Sequence, residues 1–312
     1  MLHGLEQILL KIQPDMTLVQ GDSATSFAAA LTSFFYRVPI GHVEAGLRSG
    51  KKFSPYPEEM NRRLISNLAD IHFAPTVMAY ESLKALNVAE KNIYVTGNTI
   101  IDALNMIARH QYSVDTIIPP ASYKGKKLIL LTAHRRENFG IHLKNICEAT
   151  NKIAQKREDV LLIVLVHKNP IVKETLQNQL SNQKNIQLIE PLDYEPFIHL
   201  MKMSYLILTD SGGIQEEAPS FGKPVLLLRD TTERPEAVIA GVAKFVGSDP
   251  AKIIQETEAL LDNQELYQKM AKKVNPYGDG QAAQRITLAL LHYFGFTDKK
   301  PENFAPQIVY NR

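Results

Sequence analysis

Six short runs in the second half of the chain, most of them almost wholly apolar, KLILLTA, VLLIVLV, NIQLIE, YLILTD, PVLLL and AKFVG, constrain the fold more than any other feature. Runs without polar alternation read as strands covered on both faces, as in parallel sheets. The stretches between them are long enough for crossover helices, so the pattern predicts α/β architecture. An earlier series, MTLVQGD (16–22), VPIGHV (38–43), DIHFA (70–74) and NIYVTG (92–97), repeats it. The polar, proline-bearing segment HQYSVDTIIPPASYKGKK separates the two series and reads as a linker near 111–125. The expectation is two Rossmann-like, doubly wound domains. The first spans 1–98 and is joined by a C-terminal helix within 284–312; the second spans 99–283 with the linker.

The opening is unusual for such a fold. A doubly wound domain normally starts with a strand and a phosphate-binding turn. Here Leu5, Ile8, Leu9 and Ile12 have the i, i+3, i+4, i+7 spacing of a helix, so the first domain reads as lacking its first strands.

Charge and cysteine content narrow the function classes. Thirty-five basic and 33 acidic residues leave a net charge of +2, which argues against nucleic acid or an anionic membrane as partner and requires any anion site to be local. The single cysteine, Cys147, forbids an intrachain disulfide and a thiolate zinc site. The longest apolar run, 160–166, is far below the roughly 20 residues of a membrane span. With no signal-peptide pattern at MLHGLEQ, the expected location is the cytoplasm.

Ligands of open parallel sheets bind beyond the carboxyl ends of the strands. There the sequence offers Asp22, Glu44, His134, His167 and the run Asp210-Ser211-Gly212-Gly213. Both series aim polar groups the same way, as expected of two domains facing a substrate cleft. The SGG turn into a helix can hold phosphate oxygens on backbone N–H groups, with Glu217 one turn on as a ribose acceptor, or it is only a tight turn. RDTTERPEA (229–237) offers Arg229 and Arg234 to a diphosphate, or is a solvated loop with ion pairs among Asp230, Glu233 and Glu236. HRREN (134–138) joins an imidazole to two guanidiniums. Asp22 and Glu58 read equally as helix-capping residues, and Phe197 as a core aromatic or a base contact. No cluster has metal-ligand spacing.

Taken in order, QGDSATSFA, GHVEAGLRSG, SPYPEEMNR, VTGNTIIDAL, AHRRENFG, VHKNP, TDSGGIQEEAPSFGKPVLLLRDTTERPEAV and NPYGDGQAA resemble the non-hydrolysing bacterial UDP-N-acetylglucosamine 2-epimerases over almost the whole chain. The resemblance implies a GT-B-like pair of domains, the second binding UDP. It implies interconversion of UDP-GlcNAc and UDP-ManNAc, for surface polysaccharide precursors, through elimination of UDP to 2-acetamidoglucal and re-addition. Asp22, Glu44, Glu58 and His134 would be the catalytic group. Ser211, Gly212 and Gly213 would hold the diphosphate, Glu217 the ribose, Leu192 and Phe197 the uracil, with Arg234 a further contact. Arg135 and His167 resemble residues that touch a second, activating UDP-GlcNAc. A homodimer is implied, and no metal, nicotinamide or flavin. Family members open with a strand and a G-T-R-P-E turn that this sequence lacks, which amounts to roughly 70 residues, or two β-α units. A hydrolysing epimerase releasing UDP and ManNAc, or a UDP-binding remnant without catalysis, are the competing readings.

Overall fold

Each apolar run becomes a short strand, the central ones buried on both faces and the edge strands partly exposed, and the strands assemble into two wholly parallel sheets. The computed structural model describes residues 1–181, 183–232 and 234–306. Glu233 and the end of the expected C-terminal segment, 307–312, lie outside the described residues. The chain divides into two compact units, one of Met1–Ala103 with the return from Tyr277, the other of Leu104–Pro276.

The first unit holds strands β1 (Thr17–Gln20), β2 (Ile40–Val43), β3 (Ile71–Ala74) and β4 (Ile93–Val95), paired in that order. The amphipathic opening forms a helix, Leu2–Ile12, and connecting helices follow at Ala24–Phe35, Glu58–Leu68 and Val77–Lys84. Ser23 and Thr76 cap the helices that follow them, their side chains accepting the N–H groups of Ser26 and Ala79. Phe73 and Ile71 of β3 pack with Tyr94 and with Ile286 and Ala289 of the last helix, Ala282–Tyr293. Asp102 holds that helix start through the N–H groups of Ala282 and Ala283. β1 is an edge strand, with Leu18 half exposed on it and Phe34 and Phe35 exposed at the end of the next helix.

A Cβ at Gly41 in β2 would stand 2.5 Å from Leu18 Cδ2, so a larger residue there requires the half-exposed Leu18 side chain to move.

The second unit contains β5 (Lys127–Thr132), β6 (Val160–Leu165), β7 (Ile186–Ile189), β8 (Leu206–Thr209), β9 (Val225–Leu227) and β10 (Ala243–Phe245). Their spatial order is β10-β9-β8-β5-β6-β7. Counted from β5, that is the doubly wound 3-2-1-4-5-6 order, with its reversal between β5 and β8. Helices Ile141–Lys156, Pro170–Leu180 and Pro250–Asp262 cover the sheet and share one core with it, centred on Ile129, Leu131, Leu162, Val164, Leu206 and Leu208. Among the described residues no helix is long and apolar enough to cross a membrane.

Candidate active site

In the second unit the candidate residues gather where the strand order reverses. β5 and β8 lie side by side, and Thr132 and Thr209 at their carboxyl ends share a 2.6 Å hydroxyl hydrogen bond. His134 follows β5 and Asp210 follows β8. Asp210 is fully buried. Its Oδ2 accepts the backbone N–H groups of His134 and Arg135 and the Asn138 amide, each at 2.9 Å. Its Oδ1 lies 3.4 Å from His134 Nδ1 and accepts no hydrogen bond of ordinary geometry.

The His134 ring stacks on that of His167, with centroids 5.3 Å apart and planes 12° from parallel. Burial lowers the His134 pKa, the Asp210 charge acts against that, and His167 and Arg135 lower it further. Two of the remaining expected residues, Leu192 and Phe197, line the same cavity of about 180 Å³ as His134 and His167, together with Thr132 and Ile214. Phe197 belongs to helix Tyr194–Met203 and is half-buried.

Ser211 precedes the short helix Gly212–Glu217, and its N–H donates to Thr209 Oγ1 at 3.0 Å. Gly212 is buried, whereas a Cβ added at Gly213 would meet nothing within 4 Å, so the turn has an open side. Glu217 is buried in the helix's last turn and accepts the Tyr194 hydroxyl at 2.7 Å. Burial, helped by Glu216, raises its pKa to about 7, against the lowering effect of the Tyr194 bond. Arg234 pairs with buried Glu216 through Nε, and Glu216 is itself anchored by the Asn275 amide on its carbonyl at 2.7 Å. Arg229 lies 2.9 Å from Glu137 and is almost fully buried.

In the first unit the carboxyl ends of β1 and β2 bring Asp22 and Glu44 together. A Cβ at Gly21 would stand 3.6 Å from Glu44 Oε2, so the Glu44 carboxylate lies against the turn that carries Asp22. Glu44 itself has a φ of 62°, left-handed backbone that a glutamate adopts only at a cost of about 1 kcal/mol. The buried guanidinium of Arg62 pairs with Asp22, and Asn61 Nδ2 donates to the Asp22 carbonyl at 2.8 Å. Glu58 sits one turn before Arg62 at the start of helix Glu58–Leu68, and its Oε2 is buried without a hydrogen bond among the described residues.

Below this cluster His42 Nε2 lies 2.9 Å from the Gly21 carbonyl. Burial drives the His42 pKa down to about 3, so at neutral pH the ring is uncharged and donates from Nε2. The pairs at Arg62 and Glu59 were not evident from the sequence, where Glu58 and Glu59 look alike; only the helix phase turns Glu59 inward, to accept Ser49 N–H and Arg63 Nε at 2.9 Å each. Tyr194 and Asp210 were likewise missed as partners of Glu217 and His134. Asp210 did carry a signal, its place at a strand end beside SGG. Among the described residues no group of three or more His, Cys, Asp and Glu side chains is arranged to hold a metal ion.

Comparison with known proteins gives these sites a family context. The family model for UDP-N-acetylglucosamine 2-epimerase matches residues 1–291. The UDP-N-acetylglucosamine 2-epimerase of Escherichia coli O157:H7 is 50% identical over 295 residues, covering 93% of this chain and 78% of that protein. A Staphylococcus aureus MnaA structure with UDP superposes with a TM-score of 0.92 at 46% identity, covering 97% of this chain and 82% of the other. The Neisseria meningitidis UDP-GlcNAc 2-epimerase bound to UDP-GlcNAc gives a TM-score of 0.85 at 45% identity, covering 93% and 80%. By the family model and by these identities, the chain belongs to the UDP-N-acetylglucosamine 2-epimerase family.

Proposed function

We propose that this chain interconverts UDP-GlcNAc and UDP-ManNAc by eliminating UDP and adding it back. The observation that carries the reading is the meeting of His134, Asp210 and Ser211 at the carboxyl ends of β5 and β8, in a chain 46% identical to a protein solved with UDP. A proton at C2 of the sugar is too weakly acidic for direct removal and return. Elimination solves this: a base takes the C2 proton, the C1–O bond to the diphosphate breaks with its electrons leaving on UDP, and 2-acetamidoglucal forms. A proton delivered to the other face of C2, with the diphosphate oxygen returning to C1, completes the inversion. No electron transfer is involved.

The roles follow from charge and position. Ser211 through its hydroxyl, and Gly212 and Gly213 through their backbone N–H groups, hold the departing diphosphate, and Arg234, aimed by Glu216, adds a cation. Glu217 accepts the ribose hydroxyls, and Leu192 and Phe197 flank the uracil. Asp22, Glu44, Glu58 and His134 supply the acid, the base and the stabilisation of positive character at C1. Arg135 and His167 are assigned to a second UDP-GlcNAc that activates the enzyme, which acts as a homodimer; a sigmoidal rate against UDP-GlcNAc tests the first and light scattering the second.

The decisive experiment incubates the protein with UDP-GlcNAc in heavy water and follows the products by NMR. Deuterium at C2 of UDP-ManNAc supports the reading. Free ManNAc with UDP would instead identify a hydrolysing enzyme. UDP binding by calorimetry with no deuterium in either sugar nucleotide would leave only a binding protein and sink the proposed catalysis.

A further inference from the structure

We infer that Asp210 is the positioning residue for His134, holding its imidazole with the proton on Nδ1 so that Nε2 is the atom that exchanges protons in the cavity. Four observations support this. Asp210 has no exposed surface, so its carboxylate is shielded from solvent and acts at close range. Its Oδ2 is saturated by His134 N–H, Arg135 N–H and the Asn138 amide, which fix the carboxylate plane. Its Oδ1 accepts no hydrogen bond among the described residues and lies 3.4 Å from His134 Nδ1, and leaving a buried carboxylate oxygen without a donor is costly. Finally, the stack on His167 sets the plane of the ring, with Nδ1 the nitrogen on the Asp210 side and Nε2 on the opposite edge of a ring that lines the cavity.

Among the described residues, the charged and titratable groups acting on the ring are Asp210, His167 and Arg135, and of these three Asp210 alone favours positive charge on it. An imidazole that receives a proton at Nε2 becomes a cation with Nδ1–H already directed at a carboxylate, and contacts of this kind shorten as the charge develops. The three-donor latch on Oδ2 also ties the loop after β5 to the end of β8, so the same side chain sets the position of the ring and its protonation.

The kinetic arm of the test rests on the proposed epimerase activity; the spectroscopic arm does not. Asp210→Asn keeps one oxygen for the three donors but turns an NH2 group towards Nδ1, forcing the proton to Nε2. Long-range proton–nitrogen NMR of wild-type protein at about pH 8, where the neutral ring dominates, is expected to show His134 as the Nδ1–H tautomer and the variant as Nε2–H. kcat should fall on the order of 100-fold or more while KM and the Kd for UDP stay within about threefold. A wild-type Nε2–H tautomer overturns the inference, and that measurement stands even where the variant does not fold. So does a variant with unchanged kcat, or one that loses UDP binding and kcat together, which would assign Asp210 to the nucleotide. An inactive wild-type chain sinks the proposed epimerisation alone, and the tautomer then decides Asp210.

Discussion

Glu217 offers a quantitative test of how burial governs this site. Its carboxyl group would titrate at 4.5 in the open chain, and burial raises it to about 7 in the fold, so the native state binds the proton more tightly than the unfolded state. Stability is therefore full below the unfolded pKa and is lost as pH rises through the folded one. Once ionised, the buried group costs about 3 kcal/mol, of which about 2 kcal/mol develops between about pH 5.5 and about pH 8.5. Glu217→Gln keeps an oxygen for the Tyr194 hydroxyl at 2.7 Å and removes the titration. Urea denaturation followed by circular dichroism should show wild type losing about 2 kcal/mol relative to the Gln variant across that pH range, the variant being the more stable at the alkaline end. Parallel curves for the two proteins would refute the reasoning, since they would mean that Glu217 ionises in the fold as it does in water.

Three further outcomes follow from particular contacts. Glu59→Gln keeps the shape but leaves the buried Arg62 and the Arg63 guanidinium with a weaker partner; a loss of about 3 kcal/mol is expected by denaturation, and a change under about 0.5 kcal/mol would show the pair to be inert. Burial lifts the Cys147 thiol to about 12, so a disulfide reagent should label it only in denaturant, and rapid labelling of folded protein at neutral pH would contradict its placement. Gly46 has a φ of 93° and a Cβ there would stand 2.2 Å from the Ala79 carbonyl oxygen, so Gly46→Ala should lower stability by more than about 2 kcal/mol; an unchanged melting temperature would mean that the two backbones are not in contact.

The comparison of sequence with structure is most instructive at two pairs of neighbours. Glu58 and Glu59 are both acidic residues in the first turn of a helix, and capping chemistry describes them equally well. The structure separates them by rotation: Glu59 is fully buried against Arg62 and Arg63, while Glu58 lies closer to the surface with one oxygen buried. Asp210 and Ser211 are likewise adjacent, and both end up at the switch point, but the aspartate turns inward to three donors while the serine leads into the helix. Side-chain direction in such turns depends on φ and ψ and on what the neighbouring strand presents, and neither is local in sequence.

By itself the sequence determined that the chain is α/β with two series of parallel strands, and which residues stand at strand ends, because burial on both faces leaves a one-dimensional signature that survives without coordinates. Its motif order was enough to point to the family. The tertiary structure alone decided the strand order that makes β5 and β8 neighbours, the burial that raises Glu217 and lowers His134, and the partners Arg62, Tyr194 and Asp210. Those are long-range properties: Asp210 and His134 are 76 residues apart along the chain, and only the packing of two strands sets the distance, and hence the field, between them.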